Sequence, residues 1–239
     1  MNKLSKVSVA VATLLTATAV SAASFDVRHE YKHDSKEHAT RVKLADSIGN
    51  FLVDIEAKLK DRKDGDFLQN LENNGWELGL NYRHTINDNW TMTYGMPIEG
   101  RDSGVTYKPQ VRATYSLDSV EGLSLSARYR YDMRQNSSYN TVNENNEVVE
   151  VNPDNQRRHR ITGNVNYAYD DLRFGFEANW FKAEDYPIFD GGDTNYELNA
   201  TARKIMGQWA PYVEFGDVNV DSQSDKRELR SRVGLTYSF

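Results

Sequence analysis

Between Leu123 and Arg134 the chain alternates without a slip. Leu123, Leu125, Ala127, Tyr129, Tyr131 and Met133 share one face, and Ser124, Ser126, Arg128, Arg130, Asp132 and Arg134 share the other. A period of two marks a strand. The run is longer than the ~5–6 residues usual in a soluble sheet, and its length suits a tilted strand crossing an outer membrane, apolar toward lipid and charged toward a lumen.

The same alternation recurs from Ser24 to the C-terminus. Apolar Phe25, Val27 and Tyr31 face away from Asp26, Arg28, Glu30 and Lys32, and Val42 and Leu44 from Arg41 and Lys43. Phe51 to Leu59 faces away from Asp54, Glu56, Lys58 and Lys60, Trp76 to Tyr82 from Glu77, Asn81 and Arg83, and Trp90 to Met96 from Thr91 and Thr93. Val111 to Leu117 faces away from Lys108, Gln110, Arg112 and Thr114. Beyond the opening stretch, Ile161 to Tyr169 faces away from Arg158, Arg160, Thr162, Asn164 and Asn166, and Leu172 to Trp180 from Arg173, Glu177 and Asn179. Tyr196 to Ala202 faces away from Glu197 and Arg203, Trp209 to Phe215 from Tyr212 and Glu214, and Leu229 to Phe239 from Arg230 and Arg232. This predicts an all-β fold, a transmembrane antiparallel β-barrel of about twelve strands, an even number as in bacterial barrels.

The connections give an independent test. Those after odd strands are long or polar: His33 to His38, Asp61 to Asn74, Pro97 to Val105, Gln135 to Gln156, Asp185 to Asp193 and Val218 to Asp225. Those after even strands are tight: Asp46 to Asn50, Thr85 to Asn89, Asp118 to Gly122, Asp170 with Asp171, and Gly207. Long extracellular loops and short periplasmic turns, with both chain ends in the periplasm, are the parity of an outer-membrane barrel. Trp90, Tyr169, Trp209 and Phe239 fall at inferred periplasmic ends and Trp180, Tyr131 and Tyr107 toward outer ends, which makes two interfacial belts. Pro109 and Pro211 each mark either a bulge or a strand start, since proline cannot donate to a ladder.

Composition changes the picture in three places. Residues 1–22 read as a secretory signal: Lys3 and Lys6, an apolar run from Val7 to Val20, then small residues for cleavage after Ala22 or Ala23. Residues 23–239 are then the barrel. The exported chain has no cysteine, so no disulfide framework holds it, and closure of the sheet must. Loss of the two leader lysines takes the formal charge from −6 to −8, which argues against a nucleic-acid partner.

The charge is unevenly placed. The inward basic positions are Arg28, Lys32, Arg41, Lys43, Lys58, Arg83, Lys108, Arg112, Arg128, Arg130, Arg134, Arg158, Arg160, Arg173, Arg203, Arg230 and Arg232. The inward acidic ones are Asp26, Glu30, Asp54, Glu56, Glu77, Asp132, Glu177, Glu197 and Glu214. Basic positions outnumber acidic ones nearly two to one, so a cationic lumen is predicted inside an anionic protein. Arginine suits a carboxylated sugar because its planar fork takes both carboxylate oxygens. Asp26, Glu30, Asp54, Glu56, Glu77 and Asp132 are expected to hold the arginines in place and limit over-binding.

Other chemistry is sparse, and no catalytic residue or cofactor is expected. His33-Asp34-Ser35 puts a histidine and a serine on one strand face without an evident third partner. His29, His33, His38, His84 and His159 show no metal spacing. Asp61, Asp64 and Asp66 lack the bidentate glutamate of a complete calcium loop.

Trp209 to Gly216 (WAPYVEFG), Arg230 to Phe239 (RSRVGLTYSF), Arg28-His29-Glu30-Tyr31 and the run from Ala127 to Arg134 resemble the oligogalacturonate-specific porin family. The resemblance covers essentially the whole mature chain, although the loop from Gln135 to Gln156 does not match. It implies a monomeric channel for acidic oligosaccharides from pectin breakdown, with sialic-acid channels as relatives. It also implies that Arg28, Arg128, Arg130, Arg134, Arg230 and Arg232 sit in the pore wall. The partners expected are an acidic oligosaccharide and, on the outside, outer-membrane lipid and lipopolysaccharide. The residues alone leave open a barrel enzyme of phospholipase or protease type, and a closed barrel serving adhesion or membrane stability.

Overall fold

Alternation along the strands is realised as one continuous ring. The computed structural model describes residues 23–61, 71–142 and 148–239; the leader and Asp64 and Asp66 lie outside the described residues. In chain order the strands are β1 (Ser24–Lys32), β2 (His38–Ile48), β3 (Phe51–Lys60), β4 (Glu72–Thr85), β5 (Trp90–Gly95), β6 (Ile98–Arg101), β7 (Gly104–Tyr107) and β8 (Gln110–Ser116). They continue as β9 (Leu123–Asn136), β10 (Tyr139–Val142), β11 (Val148–Val151), β12 (Gln156–Tyr169), β13 (Leu172–Glu184), β14 (Thr194–Lys204), β15 (Trp209–Asn219) and β16 (Arg227–Ser238).

All neighbours are antiparallel. β1 pairs with both β2 and β16, and β9 pairs with β12, so the sheet has no free edge. Two of its staves are interrupted: β5 passes into β6 at Met96 and Pro97, and β7 passes into β8 at Lys108 and Pro109. Counted as staves the closed barrel has twelve strands. In the chain connection between β9 and β12, β10 and β11 form a separate hairpin. Closure lets every stave satisfy its backbone groups against a neighbour, the condition for crossing hydrocarbon with strands.

Burial is inverted relative to a soluble sheet. Inward Thr162 is 0% and Asn179 2% exposed, while outward Phe51 is 60% and Phe215 52% exposed. The apolar half of each strand therefore forms the outer surface. Trp90, Tyr169, Trp209 and Phe239 stand exposed at the end that carries the tight turns, and Trp180 toward the other.

The turn parity holds, with two differences. The predicted loop from Pro97 to Val105 is an ordered hairpin, β6 with β7, that continues the barrel wall by pairing with β4 and β9. The connection after β1 has only five residues, 33–37. Pro109 sits at the β7–β8 interruption, where its carbonyl accepts the Tyr131 N–H at 3.0 Å, so it is a bulge position. Pro211 lies within β15 opposite Leu235, one residue before the β14 ladder begins at Tyr212, and its missing N–H interrupts nothing on that side.

One inward aromatic needs a glycine across from it. Tyr212 lies directly opposite Gly234, and a Cβ there would meet the Tyr212 ring at 2.2 Å. The vacancy lets the ring lie on the wall, its hydroxyl donating to Asp26 at 3.2 Å.

Candidate functional site

The inward face encloses two cavities that meet at Glu77, Arg130 and Arg160. The inner one, about 720 Å³, reaches Gly122 and Arg173 near the tight turns. The outer one, about 480 Å³, reaches Gln156 and Tyr186 near the long loops. Arg28, Arg41, Lys43, Glu56, Arg128, Arg173, Glu177, Arg203, Glu214 and Arg232 line the inner cavity, while Lys58, Lys108, Asp132, Arg134 and Arg158 line the outer. Asp26, Glu30, Lys32, Asp54, Arg83, Arg112, Glu197 and Arg230 hold inward register positions without lining either cavity.

Register decides which charges meet. On one wall Arg112 of β8 is the cross-strand partner of Arg128 of β9, and Arg130 of β9 is the partner of Arg160 of β12. Like charges directly opposite are unfavourable, and little here offsets them. Among the described residues Arg112 has neither an ion pair nor a hydrogen bond, and Arg128 donates only to Thr162 Oγ1, at 3.1 Å. Arg130 and Arg158 share Asp132, at 2.6 and 2.8 Å. Arg160 donates from Nε and Nη2 to Asn179 Oδ1 at 3.0 and 2.7 Å, and Glu177 is 3.7 Å away. Polar neutral groups complete this wall: Thr162 donates to Asn179 Oδ1 at 2.8 Å, and Asn179 Nδ2 donates to Glu177 at 2.7 Å.

Across the ring, strands six places apart in a twelve-membered order face one another, which sets β16, β1 and β2 opposite β8, β9 and β12. This wall also carries arginines, but most are heavily paired. Arg232 bonds Glu30 at 2.6 Å and also Glu214; Arg41 bonds Asp26 at 2.6 Å and Glu56 at 3.4 Å. Arg230 has Glu30, Glu197 and Glu214 within 4.0 Å and donates to Asn199 at 2.7 Å. Arg28 alone on this wall has no carboxylate within ion-pair distance among the described residues.

Three expectations need correction. Asp54 and Glu77 hold lysines rather than arginines: Asp54 takes Lys43 at 2.7 Å, and Glu77 takes Lys58 at 2.9 Å and Lys108 at 2.8 Å. Glu99, buried in the β6–β7 hairpin, completes that knot with Lys58 at 3.0 Å and with Lys108. Sequence reading missed Glu99 because it ended the strand at Met96; the alternation Glu99, Arg101 was the available signal. Arg83 stays exposed near the tight turns and lines neither cavity, whereas Arg173 lines the inner one as expected while donating to the carbonyls of Asp170 and Leu172, both at 2.7 Å.

Nor do the histidines stay apart. Pairing of β1 with β2 brings His29 Nε2 to 3.0 Å from His38 Nδ1 on the outward face. His33 and Ser35 do not pair with one another: His33 Nε2 lies 2.8 Å from Ser231 Oγ, and Ser35 Oγ donates to Glu228 at 3.0 Å. Glu228, 4% exposed at the rim, also accepts the backbone N–H groups of Asp34 and Ser35, at 3.0 and 2.9 Å. It ties the β1–β2 connection to β16.

Comparison with known proteins agrees with this architecture. The family model for the oligogalacturonate-specific porin protein KdgM matches residues 16–239. The uncharacterized protein YiiY of Salmonella typhimurium is 32% identical over 229 residues, 94% of either chain. The oligogalacturonate-specific porin KdgM of Dickeya dadantii is 26% identical over 247 residues, covering 99% of this chain and 100% of its own. A solved NanC porin shares the fold with a TM-score of 0.71 at 21% identity, over 90% of this chain and 100% of the other. A match of this extent makes the chain a member of the oligogalacturonate-specific porin family, as its opening and closing strands implied, and puts it in the outer membrane of a Gram-negative bacterium.

Proposed function

We propose that this porin is a passive, anion-preferring channel for acidic oligosaccharides, with oligogalacturonates as its substrate class, acting as a monomer. The observation that carries the reading is the set of inward arginines with no carboxylate within ion-pair distance among the described residues, which includes Arg28, Arg128, Arg134, Arg173 and Arg203 on the two cavities and Arg112 beside them. A sugar carboxylate entering the lumen supplies the missing counter-charge, and the paired arginines beside them offer further N–H edges. Each wet pairing contributes about 0–1 kcal/mol. Several together give roughly millimolar affinity, enough to enter and weak enough to leave. The exposed outward aromatics are then the contact with lipid and lipopolysaccharide.

A barrel enzyme is the less supported reading. Its best feature is the His33–Ser231 contact, for which no described carboxylate or amide orients the other ring nitrogen, and neither described lumen cavity includes it. Reversal potential and conductance in a planar bilayer under a salt gradient, before and after adding oligogalacturonate, test the proposal. Anion selectivity with transient block is expected. Absence of conductance sinks the channel reading, and block by sialic acid but not by oligogalacturonate changes the substrate.

A further inference from the structure

The lumen wall is polar almost throughout, and Phe181 breaks the rule. It occupies an inward position on β13 between Asn179 and Ala183 and is 4% exposed. Arg160 is its direct cross-strand partner. Arg158, two residues earlier on β12, leans over the same ring, and the guanidinium carbons of Arg158 and Arg160 lie 4.8 and 5.1 Å from the ring centroid. Arg158 faces Ala183, 1% exposed, whose single methyl leaves room for the longer side chain to lie across it.

Each guanidinium is also pinned along one edge. Arg158 donates from Nε and Nη2 to Asp132 Oδ2 at 3.2 and 2.8 Å, and Arg160 from Nε and Nη2 to Asn179 Oδ1 at 3.0 and 2.7 Å. A guanidinium has five donors in one plane. With one face over an aromatic ring and one N–H each of Nε and Nη2 engaged, what remains is the second N–H of Nη2 and both of Nη1, which has no hydrogen-bond partner among the described residues in either side chain. Both arginines line the outer cavity, and Arg160 lines the junction with the inner one.

We propose that Phe181 is a positioning residue: its ring mounts Arg158 and Arg160 as a preset pair, about 7 Å apart along β12, with their free edges offered to carboxylates where the two cavities meet. The mount rests on the channel reading, which it deepens by separating two sources of selectivity. Charge alone attracts any anion. Planar guanidiniums held against rotation favour a planar carboxylate over a spherical chloride, because less rotamer freedom is lost on binding.

The test compares wild type, F181L and F181Y in planar bilayers with three readouts: chloride over potassium, acetate over chloride, and block by oligogalacturonate. In F181L the first is expected to stay at the wild-type value, the second to fall about twofold and block to weaken about fivefold, the scale of a lost cation–π contact. F181Y is expected to keep wild-type values. An unchanged acetate ratio in F181L, or an equal loss in F181Y, overturns the mount. Should F181L fail to assemble, R160K decides instead, since it keeps the charge and loses the planar face; wild-type acetate preference in R160K overturns the mount equally. A wild-type channel that oligogalacturonate does not block refutes the substrate reading and still leaves the acetate ratio to judge Phe181.

Discussion

The two facing walls carry the same residue type in different electrostatic company. On β16, β1 and β2, Arg41, Arg230 and Arg232 are each bracketed by two or more carboxylates. On β8, β9 and β12, Arg112 and Arg128 have none within ion-pair distance among the described residues, and Arg130 and Arg158 divide a single Asp132. An arginine whose charge is already balanced contributes architecture and a hydrogen-bond edge; one without a partner contributes field. Counting arginines along a pore therefore overstates the number that draw an anion inward.

The contrast can be broken most severely on the sparse wall. Replacing Arg112 and Arg128 together by alanine removes two uncompensated charges, so oligogalacturonate block is expected to weaken by roughly tenfold or more, equivalent to at least about 1.4 kcal/mol. Thermal stability should hold, because like charges that faced each other are gone. Replacing Arg128 and Arg130 reduces anion preference too, but it takes one partner from Asp132, so it lowers stability as well.

On the paired wall the order of effects reverses. Arg232→Ala leaves the half-buried Glu30 and Glu214 without their closest cation, which costs on the order of 3 kcal/mol. The heat needed to unfold the barrel on a gel should drop more than anion selectivity does. Adding Glu30→Gln and Glu214→Gln to that variant should restore most of the stability; failure to recover would mean that the arginine acts through packing instead.

A smaller shift is expected at the lysine knot. Glu77→Gln leaves Lys58 and Lys108 to Glu99, with Glu56 3.5 Å from Lys58, and exposes part of a positive charge at the junction of the cavities. Anion over cation permeability should rise about twofold, read from the reversal potential. Raising salt from 0.1 to 1 M shortens the screening length from about 10 to about 3 Å. The difference between wild type and the Arg112, Arg128 double variant should shrink accordingly. The smallest effect on selectivity is expected from Gly234→Ala, which displaces the Tyr212 ring and costs about 1–3 kcal/mol of stability, the range for overpacking.

Much of this molecule is legible in the chain because strands in a barrel see two solvents. Alternation of Leu125, Ala127 and Tyr129 with Ser126, Arg128 and Arg130 identifies both the strand and its faces, and the parity of loop lengths orients it. Such reading fails where a stave is interrupted. The β6–β7 hairpin was hidden because Pro97 and Pro109 look like ends, so Glu99 went unseen although it neutralises two lysines. It also fails at Phe181, which lies one residue past the last strand position assigned from the pattern and has an apolar identity that points outward by composition while its parity points inward.

The sequence by itself thus determined the architecture and the compartment, and set an expectation for the sign of the lumen. Those depend on local periodicity and summed charge, which are properties of each strand alone. Only the tertiary structure decided which arginines are spent on carboxylates and which stand open. That depends on register between strands distant in the chain, as when β1 meets β16 and sets Glu30 beside Arg232, or β8 meets β9 and sets Arg112 beside Arg128. A shift of one residue in either ladder would leave every strand equally amphipathic, yet it would turn one partner's side chains to the opposite face.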